Sequence, residues 1–429
     1  VTEQMGYNPT MGGAGVVPLN VLHTADWHLG RALYGRRRDE EFAAFLSWLV
    51  ETIARQEIHV LLVAGDVFDT STPSNRVQEL YYRFLGQIKT TACRHVVIIG
   101  GNHDSPSFLN APQDLLQAFD VHVIGSKTAD PADEVRVLRD AKGQPELIVC
   151  AVPYLRDRDI REAQPGESIE DKGRKLIEGI AGHYAEVASC AEVQRADLGV
   201  DVPIVGMGHL FTAGGKTTSD DGVRDLYVGS LAHVTAEVFP PCLDYVALGH
   251  LHVPQRVGGG DRVRYSGSPI PMGFGEALQE KIVLKLRCEG RQLSVEPISV
   301  PLFQALATLS GDWATIEQGI RAQLAKPSSC WLEVNYTGKE IITDLRERID
   351  ALIEGSPLEV LRVRNQRLIQ QVLSPSVTEE TLEELDMAQV FVRCLEAHEV
   401  PEAQRPELLQ AYREILESVA EADDDRARV

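Results

Sequence analysis

An α/β architecture built on parallel strands is what this chain predicts up to about residue 300. Three observations lead there. Short apolar runs alternate with stretches whose apolar residues recur at helical spacing. Aspartate, asparagine and histidine residues sit directly after several of those runs: Asp26 and His28, Asp66, Asn102 and His103, His209, then His250 and His252. After about Val300 the layout changes to shorter alternating elements, and then to two amphipathic stretches.

Leu19 to Ala25 reads as the first strand, and Asp39 to Arg55 as a helix through Phe42, Phe45, Leu46, Leu49 and Ile53. Val60 to Ala64 is the next strand, followed by a helix from about Pro73, since proline is tolerated in a first turn. His95 to Ile99 is the third strand and runs into GGNHD. A βαβαβ start implies parallel strands, whose outgoing loops converge on one edge of the sheet. Leu147 to Val152, Ile204 to Met207 and Tyr245 to Leu248 are further strands, with Ser168 to Cys190 helical and weakened at Gly179 and Gly182. Beyond Val300, Asp312 to Leu324 reads as helix, Trp331 to Tyr336 as strand, Ile341 to Ile353 as helix and Leu358 to Val363 as strand. Residues 378–397 and 406–421 read as two amphipathic helices separated by Pro401 and Pro406. They either dock on the small α/β unit before them or await a partner surface.

A chain of 429 residues with 44% hydrophobic content is long enough for two or three cored units. The seven cysteines are dispersed, the nearest pair being Cys150 and Cys190, so no C-x-x-C motif exists and a reducing, cytoplasmic setting is expected. Residues 1–17 lack a basic start and a continuous apolar core, and read as a flexible leader rather than a signal or membrane segment. The net charge of −21 opposes a polyanionic ligand, yet it is uneven. Fifteen acidic and five basic residues follow Ser376, which accounts for −10 of the total.

The chemistry lies in the polar clusters. In VLHTADWHLG, Asp26 and His28 stand two apart, and an extended backbone points both the same way. VAGDVFD places Asp66 after a glycine at a strand end, where a carboxylate can bridge two cations that otherwise repel; Asp69 reads as a loop cap or a residue behind the ligands. IIGGNHD supplies Asn102, a neutral oxygen donor, and His103, after two glycines that permit a tight turn. Five of the seven ligand candidates are neutral, so two divalent cations contribute +4 against −2 from Asp26 and Asp66. Arg31, Arg36, Arg37 and Arg38 follow the first cluster and read either as a solvated helix start or as contacts to a phosphate backbone.

These clusters, in this order, resemble the D-x-H, G-D-x-x-D, G-N-H-D, G-H and G-H-x-H pattern of the calcineurin-like metallophosphoesterases. The segments LHTADWHLGRALYG, LLVAGDVFDTSTPSN, VVIIGGNHDSP, AVPYLR, YVALGHLHVPQ and VRYSGSPIPMGFGE bring the resemblance closer, to the nuclease subunits of prokaryotic SbcCD-type complexes. It is strong over residues 19–290 and loose beyond. The resemblance implies a β-sandwich flanked by helices over 18–300, a small α/β capping domain over 301–373 that leans on DNA, and a C-terminal helix-loop-helix with an acidic tail over 374–429. It assigns one metal to Asp26, His28, Asp66 and His252, and a second to Asp66, Asn102, His209 and His250. The implied cofactors are two Mn²⁺ ions per subunit, with Mg²⁺ as the cellular alternative and Zn²⁺ compatible by ligand type.

On the same footing His103 stabilises or protonates the leaving oxygen, with Asp104 orienting its ring. The implied activity is 3′-to-5′ exonuclease action on duplex ends and endonuclease action on single strands and hairpins. No G-x-x-x-x-G-K-[ST] occurs, so ATP dependence belongs to a partner, an SMC-like coiled-coil ATPase bound through residues 378–421. Relatives also form homodimers through helices corresponding to about 38–55 and 74–89, here offering Phe42, Phe45, Trp48, Leu49, Leu80, Tyr81, Phe84 and Leu85, so a heterotetramer with the ATPase is implied. Two other readings stay open from sequence: a phosphoesterase acting on small molecules or proteins, and a DNA-end scaffold with minor cleavage.

Overall fold

Strand alternation sorts the apolar residues of the first part of the chain into three layers. In the computed structural model, residues 18–161, 167–212, 234–340 and 342–365 are described, together with Arg405, Leu409 and Tyr412. The leader, the acidic tail and, apart from those three positions, the two expected C-terminal helices lie outside the described residues. The chain divides into one unit ending at Ala305 and another beginning at Leu306.

The first unit opens with β1 (Leu19–Thr24), α1 (Asp39–Arg55), β2 (Val60–Ala64), α2 (Asn75–Ile88) and β3 (His95–Ile99). The short helices α3 (Pro106–Asn110) and α4 (Gln113–Gln117) lead to β4 (Val121–Ile124), β5 (Val135–Arg139) and β6 (Pro145–Ala151). Then come α5 (Asp157–Ile160), α6 (Ile169–Leu198), β7 (Ile204–His209) and β8 (Tyr245–Gly249). Two short strands, β9 (Gln255–Arg256) and β10 (Val263–Tyr265), precede the hairpin β11 (Ile282–Glu289) and β12 (Gln292–Ser299).

One six-stranded sheet runs β12-β11-β1-β2-β3-β4 and the other β5-β6-β7-β8-β10-β9. In the first sheet β1 to β4 are mutually parallel; in the second, β6, β7, β8 and β10 are. In β2 and β3, Leu61, Val63, Val96 and Ile98 pack with α1 and α2 on the outer face. Their neighbours Val60, Leu62, Ala64, Val97 and Ile99 face inward onto Leu147, Val149, Val205, Met207 and Ala247 of the second sheet. The outer face of that sheet, including Ile148, Val246 and Leu248, is covered by α6 through Leu176, Ile180, Tyr184 and Val187. This is the helix-flanked β-sandwich that the resemblance implies.

Helix starts follow local chemistry. Asp39, Glu40 and Glu41 occupy the first turn of α1, where negative charge suits the helix dipole. Helix α2 begins at Asn75 rather than Pro73, because the Ser74 hydroxyl caps it by accepting from the Val77 amide. Ser168 caps α6 in the same way, and that helix runs unbroken through Gly179 and Gly182. Among the strands of this unit, the sequence reading missed β4, β5, β9, β10 and the β11–β12 hairpin.

The second unit contains β13 (Ala305–Gly311), α7 (Trp313–Leu324), β14 (Cys330–Tyr336), α8 (Leu345–Ile353) and β15 (Leu358–Asn365), with sheet order β13-β14-β15 and β14 parallel to β15. Its second helix starts at Leu345, four residues later than the expected Ile341. Among the described residues no helix is long and apolar enough to cross a membrane.

Candidate metal centre

Seven donors from five loops and strand ends meet where the C-terminal edges of both sheets face each other. After β1, Trp27 turns into the helical layer, fully buried, with its indole N–H on Thr24 Oγ1 at 3.0 Å and its ring edge-on to Phe45 and Phe84. The backbone of this loop is zipped to the one after β2: the Asp26 amide donates to Gly65 O at 3.0 Å and the His28 amide to Asp66 O at 2.9 Å. Asp26 and His28 do not reach the site from an extended segment. Their φ values are 53° and 45°, Asp66 lies at 49° and His250 at 100°, so four of the donors sit in the left-handed region. Such strain costs about 1–3 kcal/mol per residue and persists only where surrounding structure enforces it.

Each buried carboxylate divides its oxygens between backbone and site. Asp26 Oδ1 accepts from the His250 amide at 2.8 Å, and Asp66 Oδ1 from the His103 amide at 2.9 Å. Asp66 Oδ2 then lies 3.5 Å from His28 Nε2 and 3.3 Å from His209 Nε2. His28 Nε2 is 3.1 Å from His252 Nε2, and Asn102 Oδ1 is 3.0 Å from His209 Nε2 and 3.2 Å from His250 Nδ1. Two trios result, Asp26–His28–His252 and Asp66–His209–His250, each with its donor atoms within 4.8 Å of one another. The structure thus brings the seven expected ligand candidates together, with Asn102 beside the second trio and Asp66 Oδ2 between the two. Asp26 Oδ2 and His250 Nε2 are buried without a hydrogen-bond partner among the described residues, a cost that a bound cation relieves. The donors therefore fit a dinuclear centre of divalent cations.

The imidazoles are oriented from behind. His209 Nδ1 donates to Ala64 O at 2.9 Å, which turns Nε2 toward Asp66. Gly249 makes this possible: a Cβ there would lie 1.9 Å from Ala64 O. His252 Nδ1 is 3.3 Å from Glu276 Oε1, a residue that motif reading passed over although it ends the SGSPIPMGFGE block. Tyr154, in the AVPYLR block, was likewise missed; its ring lies 6.5 Å from that of His209.

His103 stands at the edge of the site, its ring 4.8 Å from that of His28. The orienting role expected of Asp104 falls elsewhere. The Asp104 carboxylate accepts from the amides of Val67, Phe68 and Gly101 at 3.1, 2.9 and 2.9 Å, so it holds two loops together. His103 Nδ1 instead donates to the Asp69 carbonyl at 2.8 Å, and the Asp69 carboxylate lies 3.5 Å from His28 Nδ1. His28, Asp69 and His103 thus form a third trio that shares His28 with the first.

The arginines separate into three environments. Arg38 is buried, paired with Glu41 at 2.7 Å and donating to Pro271 O at 2.7 Å, which removes it from the backbone-contact candidates. Arg36 and Arg37 are exposed, and Arg37 pairs with Asp39 at 2.6 Å. Arg31 is half-buried, 3.5 Å from Asp69. The helix residues offered for dimerisation also turn inward: Phe42, Phe45, Leu49, Leu80, Tyr81, Phe84 and Leu85 are buried in the core and Trp48 packs against it.

The charges are strongly coupled. Burial pushes Asp66 upward, but the imidazoles of His209, His28 and His103 outweigh it and hold the carboxyl well below the usual range. For Asp26 burial prevails over His209 and raises it to about 7. Burial depresses His209, yet Asp66 and Asp26 more than compensate and lift it to about 9.

Residues 19–254 match the family model described as calcineurin-like phosphoesterase, and residues 302–399 the one described as type 5 capsule protein repressor C-terminal domain. Over 405 residues the chain is 38% identical to the SbcD subunit of the nuclease SbcCD from Escherichia coli (strain K12), covering 94% of this chain and 99% of that protein. The Rhodobacter capsulatus protein of the same name is 33% identical over 356 residues, covering 80% of this chain and 86% of its own. The Bacillus subtilis one is 35% identical over 267 residues, or 62% and 65%.

Metal loading carries a proton signature. A His209 titrating at about 9 is protonated near neutrality and must release its proton to coordinate. Affinity therefore rises with pH, roughly tenfold per unit while only the His209 proton is displaced and more steeply below about 7, where Asp26 also holds one, and levels off above the His209 value. Calorimetry of Mn²⁺ binding in buffers of different ionisation enthalpy measures the release, which Asp66→Ala should abolish together with both ions after dialysis; two ions retained by that variant would remove the bridging role.

Proposed function

From the premise that this chain belongs to the calcineurin-like phosphoesterases and, across nearly its whole length, to the SbcD family of nuclease subunits, we propose that it is the metal-dependent nuclease subunit of a nuclease–ATPase complex acting on DNA ends and hairpins. The observation that carries this is Asp66 Oδ2, placed between the two imidazole sets at 3.5 and 3.3 Å. When bound, a pair of divalent cations supplies Lewis-acid polarisation of the phosphoryl group and lowers the pKa of water. The protein's own task is to fix where phosphate, water and leaving group lie. Asp26 and Asp66 fix the donor frame through amide hydrogen bonds, and Asn102 adds an oxygen donor without charge.

His103 is the general acid. With Nδ1 held on the Asp69 carbonyl, Nε2 is the nitrogen that delivers a proton to the departing oxygen. His103→Asn is expected to keep both ions and to lose roughly 100- to 10,000-fold in turnover. End-labelled linear and hairpin DNA with Mn²⁺ tests both parts of the proposal. Products from 3′-to-5′ removal and hairpin opening support it. Cleavage of nitrophenyl phosphates but not DNA would overturn the substrate class, and normal turnover by the metal-loaded variant would overturn the acid. Mn²⁺ is the ion proposed, because imidazole and carboxylate donors suit it better than Mg²⁺.

Arg36 and Arg37 are the remaining candidates for backbone contact near the site, and Arg31 is better placed to steady Asp69. Replacing Arg36 and Arg37 by alanine should weaken DNA binding equally for unrelated sequences and flatten its salt dependence. A loss confined to some sequences would assign them to base reading.

The ATPase partner belongs to the same proposal, docked on residues 378–421. Removing 376–429 is expected to leave cleavage of short DNA intact and to abolish co-purification with the coiled-coil ATPase; undiminished co-purification would place the docking surface elsewhere. A homodimer completes the reading, and light scattering on the purified chain decides it.

A further inference from the structure

Behind His252 lies a buried polar cluster with no part in the steps above. Glu276 is fully buried and Lys281 nearly so, and the two are ion-paired through Lys281 Nζ and Glu276 Oε2. Oε2 also accepts from the Met272 amide at 2.9 Å, which leaves Oε1 for His252 Nδ1 at 3.3 Å. Lys281 Nζ donates to Ser268 Oγ at 2.9 Å and to the His252 carbonyl at 3.3 Å. That carbonyl also accepts from the Ser268 amide at 3.2 Å. Ring and backbone of one histidine are thus held by a single network.

A buried ion pair of this kind contributes little net stability, because desolvation offsets most of the attraction. Its geometry instead fits the carboxylate–imidazole arrangement that fixes the tautomer of a ligating histidine and increases its basicity. Glu276 is supported on one side and engages His252 on the other. Among the described residues the second trio has no such carboxylate backing: His209 leans on the neutral Ala64 carbonyl.

We propose that Glu276, neutralised by Lys281, is a positioning residue that holds His252 Nε2 toward the first cation site and selectively strengthens that site. The inference rests on the dinuclear reading of the centre. The test is metal titration of the full chain by calorimetry, with Mn²⁺ electron paramagnetic resonance to follow coupling between the ions. Glu276→Gln keeps the shape but replaces the charged acceptor with a neutral one; because it strands Lys281, Glu276→Gln/Lys281→Met is measured alongside. Both variants should bind one ion with wild-type affinity and the other about 10- to 100-fold more weakly, with the coupled signal lost at limiting Mn²⁺. A merely structural defect would weaken both ions alike or lower the folded fraction seen by circular dichroism. Two ions bound at wild-type affinity by either folded variant, or equal weakening of both, overturns the proposal. Failure of the wild-type chain to bind two ions would instead overturn the dinuclear reading.

Discussion

The separation of two stacked sheets at one edge is the constraint on which this molecule depends. Asp26, His28, Asp66 and Asn102 follow strands of the first sheet; His209, His250 and His252 belong to the second. Neither sheet holds a complete set. Sheets packed through large side chains stand about 10 Å apart, which is too far for donors on opposite sheets to share a cation. Toward the C-terminal edge the inter-sheet layer includes the small residues Ala25, Ala64, Ala151 and Ala247, beside Ile99 and Met207. Gly249 follows, where even a methyl group would strike the Ala64 carbonyl at 1.9 Å. Small residues there let the sheets close, and the cross-sheet bonds from His209 to Ala64 and from the His250 amide to Asp26 fix the register. Deeper in the same layer, buried His23 accepts from the Tyr245 hydroxyl at 3.0 Å and donates to Leu248 O at 3.2 Å, a further tie between β1 and β8.

That dependence explains what the sequence disclosed. Strands β2 and β3 and helix α1 were legible to the residue, because their patterns are local: apolar runs bounded by glycine, or helical spacing after three acidic residues. The ligand inventory was legible because each donor sits next to a strand end. The manner of convergence was not. Alternation in an extended chain aims residues two apart the same way, but Asp26, His28, Asp66 and His250 reach the site through left-handed backbone, which spacing does not encode. The β11–β12 hairpin, which extends the first sheet antiparallel to β1, also escaped notice because it carries none of the motifs.

Partners distant in sequence account for the other misreadings. Arg38 looked like one of a basic run, yet its acceptor at Pro271 lies 233 residues away and its carboxylate partner is on its own helix. The pair anchors the segment that carries Arg36 and Arg37, so neighbours of identical type have opposite environments. Asp104 looked like the natural orienter of His103 because it is adjacent. Adjacency on a tight turn points the two side chains apart, and the carboxylate satisfies three amides that would otherwise be buried unpaired.

Electrostatics join these observations to the chemistry. A chain of net charge −21 has to offer phosphate a locally positive surface, and the site does so by economy of carboxylates. Of the seven donors only Asp26 and Asp66 are acidic, and each commits one oxygen to a backbone amide. The negative groups that orient the imidazoles are kept one layer back: Asp69 behind His28, and Glu276 behind His252. There the cost of added negative charge is met by cations of the protein, Arg31 at 3.5 Å from Asp69 and Lys281 on Glu276. Each carboxylate behind the ligands has its own positive partner, so basicity can be added to the imidazoles without subtracting from the net charge that a phosphate sees. His209, oriented by a carbonyl dipole, needs no such partner. The pairing of carboxylate with cation behind the first site, and its replacement by a neutral carbonyl behind the second, follow from one requirement: donors must be held rigidly while the cavity between them stays attractive to an anion.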